Sequence, residues 1–505
     1  MSSRMAVLER FLPDEAATML LGDDVAAAVR PGDVLALSGD LGAGKTTLAR
    51  AVVRALSGDR ELEVPSPTFT LVQSYEARFP IAHFDLYRLA APDELDELGF
   101  DEAAAASVVL VEWPDRARDR LPREAIHVAL TEEGIGRRAT ISGEGPAISR
   151  MQRSFEIRAF LDSAGWGDAW RTFLLGDAST RAYETVALAG ASTRILMNAP
   201  RQPDGPPIRD GRPYSQIARL AESVTPFVAV GRALKAAGFA APEIFAADID
   251  RGMLLIEHLG SGGFLDDAGN PVPDRYRAAA ELLADLHARP WNPVLPVVPG
   301  SEYTVPAYND EAMAIETELL LDWYMPYVRG APADAGERNL FADAWAAAFS
   351  RLRMAERSLV LRDYHSPNLI WRPDRKGRDR LGIIDFQDAL IGPSAYDVAS
   401  LAMDARVSIS RELEAETVEA YRAARDAAGP FDAAAFDEAY AIMAAQRNSK
   451  ILGIFVRLND RDGKPQYLRH LPRIRDYLGR ALSHPALASV GDAYRRLGII
   501  DEGRS

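Results

Sequence analysis

Two groups of residues in this chain have the types and spacing needed to handle a nucleotide triphosphate. The first is Gly39-Asp40-Leu41-Gly42-Ala43-Gly44-Lys45-Thr46, followed by Thr47. Gly39, Gly42 and Gly44, with Ala43 between them, let backbone N–H groups turn inward around phosphate oxygens. The helix that begins at Lys45 and Thr46-Thr47 adds a partial positive charge at its N-terminus. Lys45 then reaches the β- and γ-phosphates, and the Thr46 hydroxyl reaches Mg²⁺. Such a cradle also needs carboxylates at the ends of neighbouring strands. Asp85, after the apolar run Ile81 to Phe84, and Glu112, after Val108 to Val111, stand in such places, although either alone could be an ordinary strand-end residue. The second group is Asp363, with Asn368 five residues later and Asp385 closing the strand Leu381 to Ile384. Phosphoryl transfer needs a base for the hydroxyl proton, and an amide oxygen and a carboxylate for the metal. Asp363 is expected to be the base and Asn368 and Asp385 the metal ligands, so that ATP and Mg²⁺ are the expected cofactors of both groups.

The elements that must position these residues are legible in part. Val34 to Leu37 reads as a strand entering the glycine loop, and Leu48, Ala51, Val52, Ala55 and Leu56 have helical spacing after it. Ile81 to Leu86 and Val108 to Glu112 read as buried parallel strands, with Ala125 to Leu130 and Arg138 to Ile141 closing the edge. Residues 1–148 form an α/β domain on this reading. Gly143-Glu144-Gly145-Pro146 reads as a turn-rich break before a helix over Phe155 to Ala164. Residues 149–257 are strand-rich (Ala182 to Ala189, Thr193 to Met197, Met253 to Glu257), and residues 258–505 are mostly helical. Leu359 to Trp371 and Leu381 to Asp385, joined by the charged stretch Arg372 to Arg380, predict a hairpin. The fold class expected is an α/β P-loop domain followed by an α+β bilobal domain.

Length and charge bound the reading further. A chain of 505 residues exceeds what one core organises, so two or three domains are expected. Lys and Arg number 58 against 73 Asp and Glu, a formal charge of -15, which disfavours autonomous binding of nucleic acid. There is no cysteine, which excludes disulfides and thiolate chemistry, and no apolar run is long enough to span a membrane. A cytoplasmic protein is expected.

The motif Gly39 to Thr46, then Ser66-Pro67-Thr68-Phe69, His83-Phe84-Asp85-Leu86-Tyr87-Arg88 and Val111-Glu112-Trp113, resembles the TsaE-type ATPases. The resemblance covers residues 1–145. It implies an ATPase that works with TsaB- and TsaD-type partner proteins in threonylcarbamoylation of adenosine 37 of tRNA. It also implies that Thr68 lies in a switch-like loop, that Asp85 and Glu112 serve Mg²⁺ and the attacking water, and that Trp113 packs at the nucleotide. A plain core aromatic is the other reading of Trp113.

Residues 155–490 resemble the aminoglycoside and choline phosphotransferases, and more narrowly the AmgK-type kinases. The motifs are Gly176 to Tyr183, Ile195 to Pro200, Leu255 to Gly260, the run around Asp363, Asp385-Phe386-Gln387-Asp388 and Leu452 to Leu458. The resemblance implies phosphorylation of the anomeric hydroxyl of N-acetylmuramate and N-acetylglucosamine in cell-wall recycling, with Ser179 and Glu257 at the nucleotide. Another small alcohol or an aminoglycoside is the alternative acceptor. A pseudokinase scaffold regulating the ATPase is the alternative of another class.

Three departures from that family stand out. Leu361 replaces the usual histidine two residues before the base, which predicts that the loop lacks its usual backbone support. The turn Gly176 to Tyr183 has one glycine. The strand Thr193 to Met197 lacks the expected lysine, with Asn198 nearby and only Lys235 and Arg219 as substitutes. His365 is read as bracing the loop rather than touching substrate. Glu316, Asp322 and Trp323 on one helix and Arg447, Lys450 and Arg457 on another are candidates for sugar contacts.

Overall fold

The computed structural model describes residues 6–117, 120–174 and 181–500. The chain divides into two compact units, Met1–Ala199 with Phe245–Glu257, and Pro200–Ile244 with His258–Ser505.

The first unit is built on two sheets. In chain order its first elements are β1 (Ala6–Leu12), α1 (Glu15–Ala28), β2 (Val34–Ser38), α2 (Lys45–Ser57), β3 (Val72–Tyr75), β4 (Ile81–Asp85), β5 (Val108–Glu112), β6 (Ile126–Glu133) and β7 (Gly136–Gly143). They form a seven-stranded sheet in the order β1-β7-β6-β2-β5-β4-β3. β2 pairs in parallel with β5 and β6, and β4 in parallel with β5, while β1, β7 and β3 are antiparallel. The central strands are apolar on both faces because both are covered, and every residue of β4 and β5 is buried. α1 packs tightly on α2: a Cβ at Gly22 would lie 2.3 Å from the Ala51 Cβ, so only glycine permits this approach. β1 and α1 fall in the stretch whose scattered charges hide their alternation in the sequence.

The expected break at residues 143–146 is instead the start of a helix, α3 (Gly145–Ser163), with Pro146 in its first turn. Proline suits that position because its missing N–H would be unpaired there anyway. α3 covers one face of the second sheet, which consists of β8 (Trp170–Leu174), β9 (Ala182–Ala187), β10 (Arg194–Asn198), β11 (Ile244–Asp248) and β12 (Met253–Glu257) in the order β11-β12-β10-β9-β8. Ile157, Phe160 and Leu161 of α3 form one core with Val186, Leu196, Met253 and Leu255.

The second unit is mostly helical. Its longest helix, Ala433–Asp460, is buried along most of its length. Gly453 of that helix allows contact with a π-helical turn, Leu320–Tyr324: a Cβ there would meet the Leu319 carbonyl oxygen at 2.2 Å. The strands Leu369–Trp371 and Leu381–Ile383 pair antiparallel, as the predicted hairpin requires, and Arg357–Val360 pairs with Leu390–Pro393. No helix among the described residues is long and apolar enough to cross a membrane.

Candidate active sites

In the first unit, the loop between β2 and α2 does what its glycines predict. Gly39, Gly42 and Gly44 all adopt positive φ, at 139°, 82° and 101°. At Gly39 a Cβ would also strike the Leu130 carbonyl oxygen at 2.5 Å, so this position needs glycine for space as well. Gly42, Gly44, Lys45, Thr46, Thr47, Thr68, Asp85, Glu112 and Trp113 line one cavity of about 370 Å³. Ala43 lies behind it in the core.

The register of the sheet joins the two carboxylates, because Asp85 and Glu112 are paired partners on parallel strands. Glu112 accepts a hydrogen bond from the Thr46 hydroxyl at 2.8 Å, and its other oxygen lies 2.9 Å from His83 Nε2. Asp85 accepts from the hydroxyls of Ser66 and Thr68 at 2.7 and 2.6 Å. A hydroxyl beside two carboxylates is a set of hard oxygen donors, which suits Mg²⁺. Lys45 Nζ donates to the carbonyls of Gly39 and Asp40 at 2.8 and 2.9 Å and sits 3.7 Å from the centre of the Trp113 ring. Trp113 is thus a wall of the cavity, held at φ 59° and packed on Tyr87.

Two residues here have no role assigned from the sequence, although His83 stands in one of the motifs. His83 braces Glu112 from the interior. Arg137 of β7 donates to the Gly42 carbonyl at 3.1 Å and so borders the phosphate loop from two strands beyond β2.

In the second unit, Asp363, Asn368 and Asp385 come together on one loop and hairpin. Asn368 donates from its amide to the Asp363 carbonyl at 2.9 Å, and that same nitrogen lies 3.4 Å from a carboxylate oxygen of Asp385. The other Asp385 oxygen accepts from Gln387 at 2.8 Å. Arg362 and Asp385 have φ 68° and 60°, backbone strain of the kind that gathers at functional sites.

The expected loss of loop support at Leu361 does not occur. Asp397, fully buried on the helix Ala395–Ala402, accepts the backbone N–H groups of Leu361 and Arg362 at 2.6 and 2.8 Å. A carboxylate with two charge-assisted bonds replaces what a side chain at 361 would have offered. Asp404 supports the other end of the loop by accepting the N–H of Ser366 at 2.8 Å. Burial would raise its pKa, but His365 and these donors hold the carboxyl down at about 2. His365 is nearly buried between Asp404 and Asn368, a bracing position.

The remaining candidates have the following surroundings. Ser179 falls outside the described residues. Glu257 ends β12 in the first unit. Asn198 accepts from the Arg153 guanidinium of α3 at 3.1 and 2.7 Å. Lys235 pairs with Glu243 at 2.9 Å near the surface, and Asp322 pairs with Arg338 at 2.7 Å in a half-exposed position. Arg447 donates to the Met403 carbonyl at 3.3 Å in the interior.

Glu316 is buried in an ion cluster, not lying open as a sugar ligand. It bonds Arg362, Tyr308, Gln446 at 3.0 Å and Lys450 at 3.0 Å, and Lys450 also donates to the Tyr396 hydroxyl at 2.9 Å. Burial would raise the Glu316 pKa, but Arg362 and Lys450 outweigh it and hold the group at about 2.

Residues 12–140 match the family profile described as threonylcarbamoyl adenosine biosynthesis protein TsaE, and residues 170–434 match the phosphotransferase enzyme family. The N-acetylmuramate/N-acetylglucosamine kinase of Caulobacter vibrioides is 38% identical over 350 residues, 67% of this chain and 95% of that one. The kinase of the same name from Pseudomonas putida is 31% identical over 354 residues, 67% of this chain and 92% of that one. The tRNA threonylcarbamoyladenosine biosynthesis protein TsaE of Rickettsia felis is 37% identical over 148 residues, 28% of this chain and 86% of that one.

The chain is a TsaE-family domain fused to a kinase of the phosphotransferase enzyme family.

The geometry fits both halves. The TsaE domain keeps its glycine loop, lysine and strand-end carboxylates around one cavity. The kinase brings Asp363, Asn368 and Asp385 together on one loop and hairpin, with Asp397 and Asp404 fixing the loop backbone.

Proposed function

We propose that the TsaE domain hydrolyses ATP in support of threonylcarbamoylation of adenosine 37 in tRNA, together with TsaB- and TsaD-type proteins. We further propose that the kinase phosphorylates the anomeric hydroxyl of N-acetylmuramate or N-acetylglucosamine, in the cytoplasm and in the service of cell-wall recycling. The observation that carries the second reading is the joining of Asp363, Asn368 and Asp385 on a loop held by Asp397, in a chain 38% identical to a kinase of that name.

In the kinase step, Asp363 takes the proton of the acceptor hydroxyl. The freed oxygen forms a bond to the γ-phosphorus, the bond from that phosphorus to the β,γ-bridging oxygen breaks, and ADP leaves with the electron pair. The Asn368 amide oxygen and the Asp385 carboxylate would hold Mg²⁺, which supplies neutralisation of the phosphate charge. In the TsaE domain, Lys45 and the loop N–H groups bind the phosphates. Thr46, Asp85 and Glu112 would hold Mg²⁺, and the two carboxylates would also serve the attacking water.

The test is transfer of label from γ-labelled ATP to a panel of amino sugars and aminoglycosides, with Asp363→Ala as control. Labelled N-acetylmuramate or N-acetylglucosamine that disappears in the variant is the expected result. Label on an aminoglycoside alone would move the acceptor class. No labelled acceptor, with ATP still bound, would favour a regulatory scaffold.

A further inference from the structure

The kinase holds a cation that forms no ion pair among the described residues. Gln446, Lys450 and Arg457 share one face of the helix Ala433–Asp460, since offsets of 4 and 7 residues return to nearly the same angle. Lys450 stands beside the base, between Glu316 and Tyr396, and the Asp363 charge acts on it. Two turns further on, about 10 Å along the axis, Arg457 lies with its guanidinium 5.4 Å from the centre of the Tyr214 ring. Long helical side chains lean toward the N-terminus, which brings the Arg457 head back toward Lys450.

Glu316 is shared by Arg362 and Lys450, and Asp363 also acts on Lys450, so these two cations face two carboxylates. Arg457 adds a third positive charge. Asp460, three residues on, accepts from the Asn459 amide at 2.6 Å, and Asp462, whose charge reaches Arg457, is engaged by Arg461 at 2.7 and 3.0 Å. Among the described residues Arg457 forms no ion pair, and its Nε is buried with no hydrogen-bond partner. Burial lowers its pKa, and Arg461 nearby lowers it further. Leaving a guanidinium N–H buried and unpaired is costly unless a ligand completes it.

We propose that Arg457 is a specificity-determining residue that binds the carboxylate of an acidic amino-sugar acceptor, and so selects N-acetylmuramate over N-acetylglucosamine. The inference rests on the sugar-kinase reading above. The two sugars share the anomeric hydroxyl and the N-acetyl group and differ by the lactyl ether on C3, two ring carbons from the reacting centre, whose carboxylate extends away from the ring. With the hydroxyl at Asp363, beside Lys450, a carboxylate extending along the helix would meet Arg457.

The experiment compares the full-length protein with Arg457→Ala and Arg457→Lys, measuring kcat/KM for each sugar with γ-labelled ATP and confirming folding by thermal midpoint. The expected result is that the ratio of N-acetylmuramate to N-acetylglucosamine efficiency falls at least tenfold in Arg457→Ala, through KM for the acid, and recovers in part in Arg457→Lys. An unchanged ratio in Arg457→Ala overturns the inference and leaves the sugar-kinase reading standing. A wild-type protein that labels neither sugar overturns that reading, and this inference with it.

Discussion

Asp24 and Arg171 form an ion pair at 2.7 Å, with both side chains removed from solvent. Asp24 belongs to α1 of the TsaE domain and Arg171 to β8, the first strand of the kinase sheet. Arg171 continues to Glu184 of β9 at 2.6 Å, and Asp24 also receives Arg158 of α3 at 2.8 Å and Arg10 of β1 at 2.5 Å. The TsaE fold and the kinase sheet therefore share one buried charge network in the first unit and are not beads on a linker. Burial would raise the Asp24 pKa, but Arg158 and Arg171 outweigh it and leave the carboxyl depressed.

Removing one partner of such a network strands the others. Asp24→Ala is expected to destabilise the first unit by roughly 3–5 kcal/mol. Removing Asp96, whose pair with Arg120 is exposed, should cost less than about 1 kcal/mol. Thermal unfolding of the two variants checks this, and equal midpoints would contradict the network's role.

Asp397 is expected to act on the kinase step without touching substrate. Asp397→Ala releases the N–H groups of Leu361 and Arg362 and lets the Asp363 carboxylate drift. A displacement near 1 Å is enough for a loss of about a hundredfold in rate. The expected fall is in kcat, with KM for ATP little changed. A fall in KM terms alone would mean that the loop does not depend on Asp397.

The buried Glu316 cluster gives a signed pH dependence. Its folded pKa, about 2, lies below the unfolded carboxylate value of about 4.3. Its contribution is therefore complete above the unfolded value and is lost as pH falls through the window between the two. Denaturant unfolding of wild type and Glu316→Gln is expected to show a gap at pH 7 that narrows as the solution is taken toward pH 2–3. A gap that widens on acidification would reverse the assignment.

The contrast between these residues explains what was legible in the sequence. Gly39 to Thr46 can be read directly because a phosphate loop is a contiguous stretch of backbone. Asp363, Asn368 and Asp385 can be read because one hairpin carries all three. Asp397 supports the same loop from 34 residues beyond Asp363, on a helix whose pattern marks it only as another buried turn. Asp24, Arg171 and Arg158 meet through packing, so no local spacing announces them. Pro146 was misleading in the opposite sense: Gly-Glu-Gly-Pro has the composition of a break, and the same proline also starts a helix. Leu361 misleads because the support it lacks comes from elsewhere in the fold.

The central claim is that one polypeptide carries two independent sites for a magnesium-bound nucleotide. Calorimetric titration of the full-length protein with a non-hydrolysable ATP analogue and Mg²⁺ tests it most directly. The account predicts two equivalents bound per chain for wild type, and one for Lys45→Ala. One equivalent in wild type, or two retained in Lys45→Ala, would contradict it.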